Sequence, residues 1–175
     1  MTLQNDLTRI NEKMEQLKQH PKKDQLFGAG LDNSLFGFPP NSKVKTGHEY
    51  QLNETISLDE VEKLEKKWKI TLPEDYKLFI TEIGNGGMGP YYGLLPFESN
   101  PDKQKNYLKD TICLVHEGCG YFQHLGVKGS KKGKLYADLE AADGGIHQLK
   151  VSSFFDWYEL WLDHSLKTLD ALLTK

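Results

Sequence analysis

Cysteine is scarce in this chain: Cys113 and Cys119 are the two in 175 residues. Two thiols make at most one bridge, too few for a small disulfide scaffold. They read as free thiols in a reducing, cytoplasmic setting. Long apolar runs are missing as well. No stretch approaches the ~20 residues needed to cross a bilayer, and Met1 to His20 mixes polar with apolar residues throughout, so neither a membrane span nor a secretory leader is expected. Charge of one sign is missing too. The formal net charge is −3, which argues against nucleic acid as a general partner, because that usually calls for a basic face. Several catalytic strings are absent: a Gly-x-Ser-x-Gly elbow, a His-Glu-x-x-His zinc helix and a Walker lysine. No internal repeat or low-complexity tract is visible.

What is present centres on residues 57–89. Ser57 followed by Glu60 is a capping-box pattern. Val61, Leu64 and Trp68 then share one helical face, with Leu58 at its start. Pro73 suits the first position of a second helix, where its missing N–H would be unpaired anyway. Tyr76, Phe79, Ile80 and Ile83 keep the i, i+3, i+4, i+7 spacing of a core stripe. Gly84 follows at once, where a left-handed C-cap is expected.

On either side the chain divides into three parts. Residues 1–20 form an amphipathic helix with Leu3, Leu7, Ile10, Met14 and Leu17 as its stripe and Pro21 as its stop. That stripe either lies against the domain or makes a homodimer or partner-docking arm. Residues 21–56 are punctuated by glycine and proline. They read as a connection packed through Leu26, Phe27, Leu31, Leu35, Phe36 and Phe38, with a short strand near Tyr50 to Leu52. Residues 57–175 form the main domain. Strands are expected at Tyr91 to Phe97, Thr111 to His116, Tyr121 to Lys128, Lys134 to Leu139 and Ile146 to Val151, with a loop or brief helix at Asn100 to Lys109. Short turns between them imply an antiparallel meander. Ser153 opens a last helix with a broad apolar stripe through Phe154, Phe155, Trp157, Tyr158, Trp161, Leu162, Leu166 and Leu169. The fold class is therefore α+β: an antiparallel sheet of about five to six strands with helices packed on it.

Four chemical readings can be weighed. Gly84-x-Gly86-x-x-Gly89 matches a dinucleotide string, but a helix precedes it where a strand is required, so the glycines read as a stop and turn. Cys113, His116, Cys119 and His124 are all zinc-ligand types. Three-residue spacing on a strand points Cys113 and His116 to opposite sides, which argues against a metal. Asp138, Glu140, Asp143, Asp156 and Glu159 read as a solvated acidic face rather than a catalytic pair. Lys128, Lys131, Lys132 and Lys134 make a basic turn without the aromatics that would stack bases.

Leu72-Pro73-Glu74-Asp75-Tyr76, then Phe79-Ile80, then Asn85-Gly86-Gly87 resembles the signature of the SUKH superfamily, in its cell-wall-assembly regulator and bacterial immunity branch. The runs from His116 to Tyr121, Leu125 to Gly129 and Gly133 to Asp138 resemble that family's strand block. Ser153 to Trp157 resembles its closing helix. The match spans roughly residues 50 to 165. Tyr136 departs from it, where the family often shows tryptophan, and so does the N-terminal extension. The resemblance implies a non-catalytic protein-binding domain: an immunity protein that neutralises a cognate toxin domain, often a nuclease, by covering it. The alternative it implies is a regulatory or scaffold module of the cell-wall-assembly type. A small-ligand binder or enzyme using the sheet near Cys119 and His124 is the competing class. No cofactor, metal, nucleic acid or membrane is expected. The excess of aromatic and acidic residues outside the helical stripes places the partner surface at Tyr91, Tyr92, Phe97, Glu98 and Tyr121, with Asp138, Glu140 and Asp143 as its rim.

Overall fold

The computed structural model describes residues 2–29, 47–97 and 108–174. Helix α1 (Leu3–Gln19) buries Leu7, Ile10, Met14 and Leu17. It lies along the last helix, α4 (Phe154–Asp170). Arg9 grips Glu159 with two guanidinium nitrogens, one of them 2.7 Å from Oε2. Lys13 Nζ lies 2.7 Å from the same carboxylate. These bonds, Arg9 first, hold the Glu159 carboxyl down to about 2. Four of the five stripe residues that suggested a dimer arm are thus buried within their own chain, while Leu3 stays exposed.

Helix α2 (Leu58–Trp68) begins as its capping box implies, the Glu60 N–H donating to Ser57 Oγ at 3.3 Å. It ends on Lys69, held in the left-handed region at φ 55°. Helix α3 (Glu74–Glu82) follows Pro73 directly. Gly84 is not the left-handed cap expected of it. The helix closes on Ile83 at φ −104°. At residue 84 a Cβ would stand 2.9 Å from the Asn53 carbonyl, so close approach of the chain, not a positive φ, calls for glycine there.

Four strands are present among the described residues: β1 (Thr111–Gly118), β2 (Tyr121–Gly126), β3 (Leu135–Asp138) and β4 (Ile146–Gln148). They pair antiparallel in the order of the chain. Among the described residues the expected five to six strands are thus four. Beyond β1 the ladder continues as single bridges, Leu94 to Val115, Gly87 to Leu94 and Leu52 to Gly87. Tyr91 to Phe97 keeps a single residue, Leu94, in these bridges because Pro90, Gly93 and Pro96 interrupt the segment and Tyr91 turns to φ 53°. The expected strand near Tyr50 likewise shrinks to Leu52. The loop expected from Asn100 and the packing residues Leu31, Leu35, Phe36 and Phe38 lie outside the described residues.

Rings fill the space between α3 and α4. Tyr76 and Phe79 stand edge-on to Phe154 at 4.9 and 5.3 Å, and Tyr158 lies 4.8 Å from Phe79. Tyr158 donates to the Met88 carbonyl at 2.8 Å. Complete burial pushes its phenol well above the ordinary value. This bond anchors the glycine segment to α4. There Gly87 sits at φ 95°, with the Gln51 carbonyl 2.4 Å from where a Cβ would be. Gly87→Ala should therefore cost about 1–3 kcal/mol or more. A urea midpoint unchanged from the parent protein would contradict this packing.

Candidate protein-docking surface

An antiparallel meander has two ends, and here they differ. At one end β1 turns into β2 through Cys119 and Gly120. With φ 51° and 82° they form the two-residue turn that suits a twisted hairpin. Glycines let neighbours close on this turn. The Tyr92 ring lies 3.3 Å from where a Gly118 Cβ would be. Ala141, in the short helical turn Glu140–Ala142 between β3 and β4, lies 2.9 Å from that of Gly120. The two turns therefore share one end of the sheet. Phe27 joins them, its ring 5.9 Å from Tyr92.

A polar relay stiffens this end. Trp157 Nε1 on α4 donates to Gln123 Oε1 at 2.7 Å, and Gln123 Nε2 donates to Glu117 Oε1 at 2.6 Å. The Tyr91 hydroxyl bonds to Glu117 as well. Burial first and the nearby carboxylate second push that phenol up to about 12. Glu140 and Asp143 are exposed beside the relay. No lysine or arginine occurs in residues 84–97, 110–127 or 135–149, the segments that build this end. The lysines collect at the other end instead, at 109, 128, 131, 132 and 134. There Lys131 Nζ donates to the Lys109 carbonyl at 2.8 Å.

Five of the residues expected to form the partner surface, Tyr91, Tyr92, Tyr121, Glu140 and Asp143, come together here, half-buried or exposed. Two do not. Phe97 is 3 % exposed, packed edge-on to Trp68 and Tyr76. Its N–H donates to the buried Asn85 side chain at 2.9 Å. Asp138 is 5 % exposed and accepts the Glu140 N–H at 3.0 Å, so it shapes the turn rather than its rim. Glu98 lies outside the described residues. Sequence reading left out Phe27, treated as loop packing, and Glu117. A carboxylate in a segment with no cation was the available signal for Glu117.

The competing chemical reading centres on His124. A bulge between Cys113 and Val115 shifts the register, so Cys113 opposes His124 while His116 opposes Phe122. Cys113 and His116 thus share a face, contrary to simple alternation, because the bulge inserts one residue. His116 stacks on Phe122 at 4.7 Å. His124 Nε2 lies 3.7 Å from Asp138 Oδ2, and its Nδ1 lies 3.4 Å from the Thr111 hydroxyl. Burial pushes the Cys113 thiol up to about 12 and the His124 imidazole down to about 4. Near neutral pH both are uncharged, the opposite of an activated thiolate pair. Among the described residues no three His, Cys, Asp or Glu side chains group closely enough to hold a metal ion.

The α+β domain thus gathers Tyr91, Tyr92, Tyr121, Glu140 and Asp143 at one turn-built end. A family model described as "SMI1 / KNR4 family (SUKH-1)" matches residues 55–161, more than half of the chain. The chain belongs to that family, whose members are generally non-catalytic protein-interaction or immunity-like domains. No curated protein and no solved structure matches it. No helix among the described residues is long and apolar enough to cross a membrane.

Proposed function

We propose that this chain is an immunity protein that binds a toxin domain through the β1–β2 and β3–β4 turns and neutralises it by occlusion. The observation that carries this reading is the composition of that end: three tyrosines and the carboxylates Glu117, Glu140 and Asp143, with no lysine or arginine in the segments that build it. A toxin that cuts nucleic acid presents a basic cleft for phosphates. Carboxylates facing such a cleft speed encounter, and tyrosines desolvated at the centre supply affinity at small entropic cost. The Tyr91–Glu117–Gln123–Trp157 relay supports the reading further, because a surface fixed before contact loses little freedom on binding.

The test uses a nucleic-acid-cutting toxin domain of the kind such an immunity protein would neutralise. Glu140→Lys with Asp143→Lys should slow association by about tenfold or more and flatten its dependence on salt. Tyr92→Ala and Tyr121→Ala should mainly speed dissociation. Lys131→Glu with Lys132→Glu, at the other end, should leave neutralisation intact. Affinity untouched by all four changes at the turns would remove this surface from the reading.

A further inference from the structure

Next to the proposed docking end, α4 borders an open trough, with Leu160, His164 and Thr168 exposed, Trp161 half-buried, and Trp157 and Ser165 buried. Trp157, Leu160, Trp161, His164, Ser165 and Thr168 line a trough of about 500 Å³, closed on its far wall by Leu26, Phe27 and Tyr91. These α4 positions follow i, i+3, i+4, i+7, i+8, i+11, the pattern by which one helix packs on another. They run for ~16 Å at 1.5 Å per residue. Leu160 is 59 % exposed and Phe27 62 %, each an apolar side chain left to water on opposite walls of the trough. The opposite side of α4 is already taken by α1.

Among the described residues that line the trough there is no lysine, arginine or carboxylate. Charge enters at its Tyr91 end, where the relay places Glu117 and the turns add Glu140 and Asp143. We infer that the trough seats an amphipathic helix of the partner. Its apolar face lies along Leu160 and Trp161, and lysines or arginines at one of its ends meet Glu117, Glu140 and Asp143. The inference rests on the docking reading above and adds the chemistry of the bound segment. An acidic helix would bring like charges together at that end, and a nucleic acid would do the same. An uncharged apolar segment would leave the three carboxylates without counter-charges.

Two of the three tryptophans, Trp157 and Trp161, line the trough, so intrinsic fluorescence reports its occupation. The probes are two synthetic tryptophan-free helical peptides with the same leucine stripe, one with lysines on its polar face and the other with glutamates. The lysine peptide should bind saturably to the full chain and shift the emission. The glutamate peptide should bind at least about tenfold more weakly. Leu160→Glu and Phe27→Ser should each weaken the lysine peptide by about tenfold, and Glu117→Gln should lessen its salt dependence. Both side chains are exposed, so an unchanged melting temperature separates loss of binding from loss of fold. Equal binding of the two peptides, no binding, or indifference to Leu160→Glu would overturn the inference. So would a concentration-dependent mass of the chain alone that Leu160→Glu abolishes, because the occupant would then be a second copy. Neutralisation of the toxin kept by Leu160→Glu but lost with Tyr121→Ala would sink the trough and spare the docking end. Peptide binding without any neutralisation would do the reverse.

Discussion

Asp75→Ala should lower the stability of this chain by about 2–4 kcal/mol, the sum of two broken buried hydrogen bonds to one carboxylate. In the sequence Asp75 is an acidic residue in the first turn of α3, where it would be expected to face water. In the structure it is buried. Its Oδ1 accepts the Tyr76 N–H at 2.9 Å and its Oδ2 accepts the Phe155 N–H of α4 at 3.1 Å. One carboxylate therefore joins the starts of two helices. Ser153 Oγ serves a different donor at the same helix start, the Asp156 N–H at 3.1 Å. Removing the carboxylate leaves the Phe155 N–H buried beside rings that offer no equivalent acceptor. Asp75→Asn keeps one acceptor and turns the other into a donor, so it should fall between parent and alanine variant. For a domain of this size the alanine change corresponds to a melting temperature lower by about 5–15 °C. A variant that melted within a degree or two of the parent would show that water replaces the carboxylate without loss. The shift matters for the proposed docking as well, because α4 carries Trp157, the last member of the relay behind that end.

The helices were legible in the sequence because their signals are local. Ser57 with Glu60, Pro73 before the Tyr76 to Ile83 stripe, and Ser153 before Phe154 each lie within a few residues of the structure they cause. The strands from Thr111 to Gln148 could be placed, but not counted, by the same means. Tyr91 to Phe97 has the composition of a strand, yet Leu94 alone of it is bridged, because the positions of Pro90, Gly93 and Pro96 decide pairing more than apolar content does. The bulge at Cys113 was invisible for a related reason. It is a property of two strands in register, and one strand read alone alternates without fault.

The docking end divides along the same line. Tyr92 and Tyr121 adjoin Gly93 and Gly120 in tight turns, and with Tyr91 they stay half-buried at that end. Phe97 has the same chemistry but is drawn into the core by a bond from its N–H to Asn85, twelve residues earlier. Asp138 is likewise spent on the turn that presents Glu140. Whether an aromatic or acidic residue is surface or scaffold here depends on a partner remote in sequence or on a backbone turn. The meeting of Phe27 with Tyr92 needed the fold itself, because 65 residues of chain separate them.

Acid should destabilise the chain well before its carboxylates titrate. His48 accepts the Tyr50 N–H on Nδ1 at 3.0 Å and stands edge-on to Trp161. His124 is fully buried at the centre of the sheet. Burial lowers both imidazoles from an ordinary 6.5 to about 4, and at His124 it outweighs the opposing pull of Asp138. The folded state thus keeps both histidines neutral while the unfolded chain takes up protons below pH 6.5. Stability from each is complete above that pH, falls as pH drops from 6.5 to about 4, and is gone below. At 1.36 kcal/mol per unit each histidine contributes on the order of 3 kcal/mol. Glu159 acts in a lower window. Its carboxyl is held near 2 by Arg9 and Lys13, so its contribution is lost between about 4.5 and 2. Urea midpoints measured from pH 7.5 to 4 should fall steadily, and His124→Gln or His48→Gln should each make the slope shallower whatever it does to stability at pH 7.5. The sign also decides between two descriptions of His124. If attraction to Asp138 outweighed burial, the imidazole would be raised above 6.5 and mild acid would strengthen the fold. Midpoints that rose on going from pH 7.5 to 6 would favour that charged pair and overturn the neutral one.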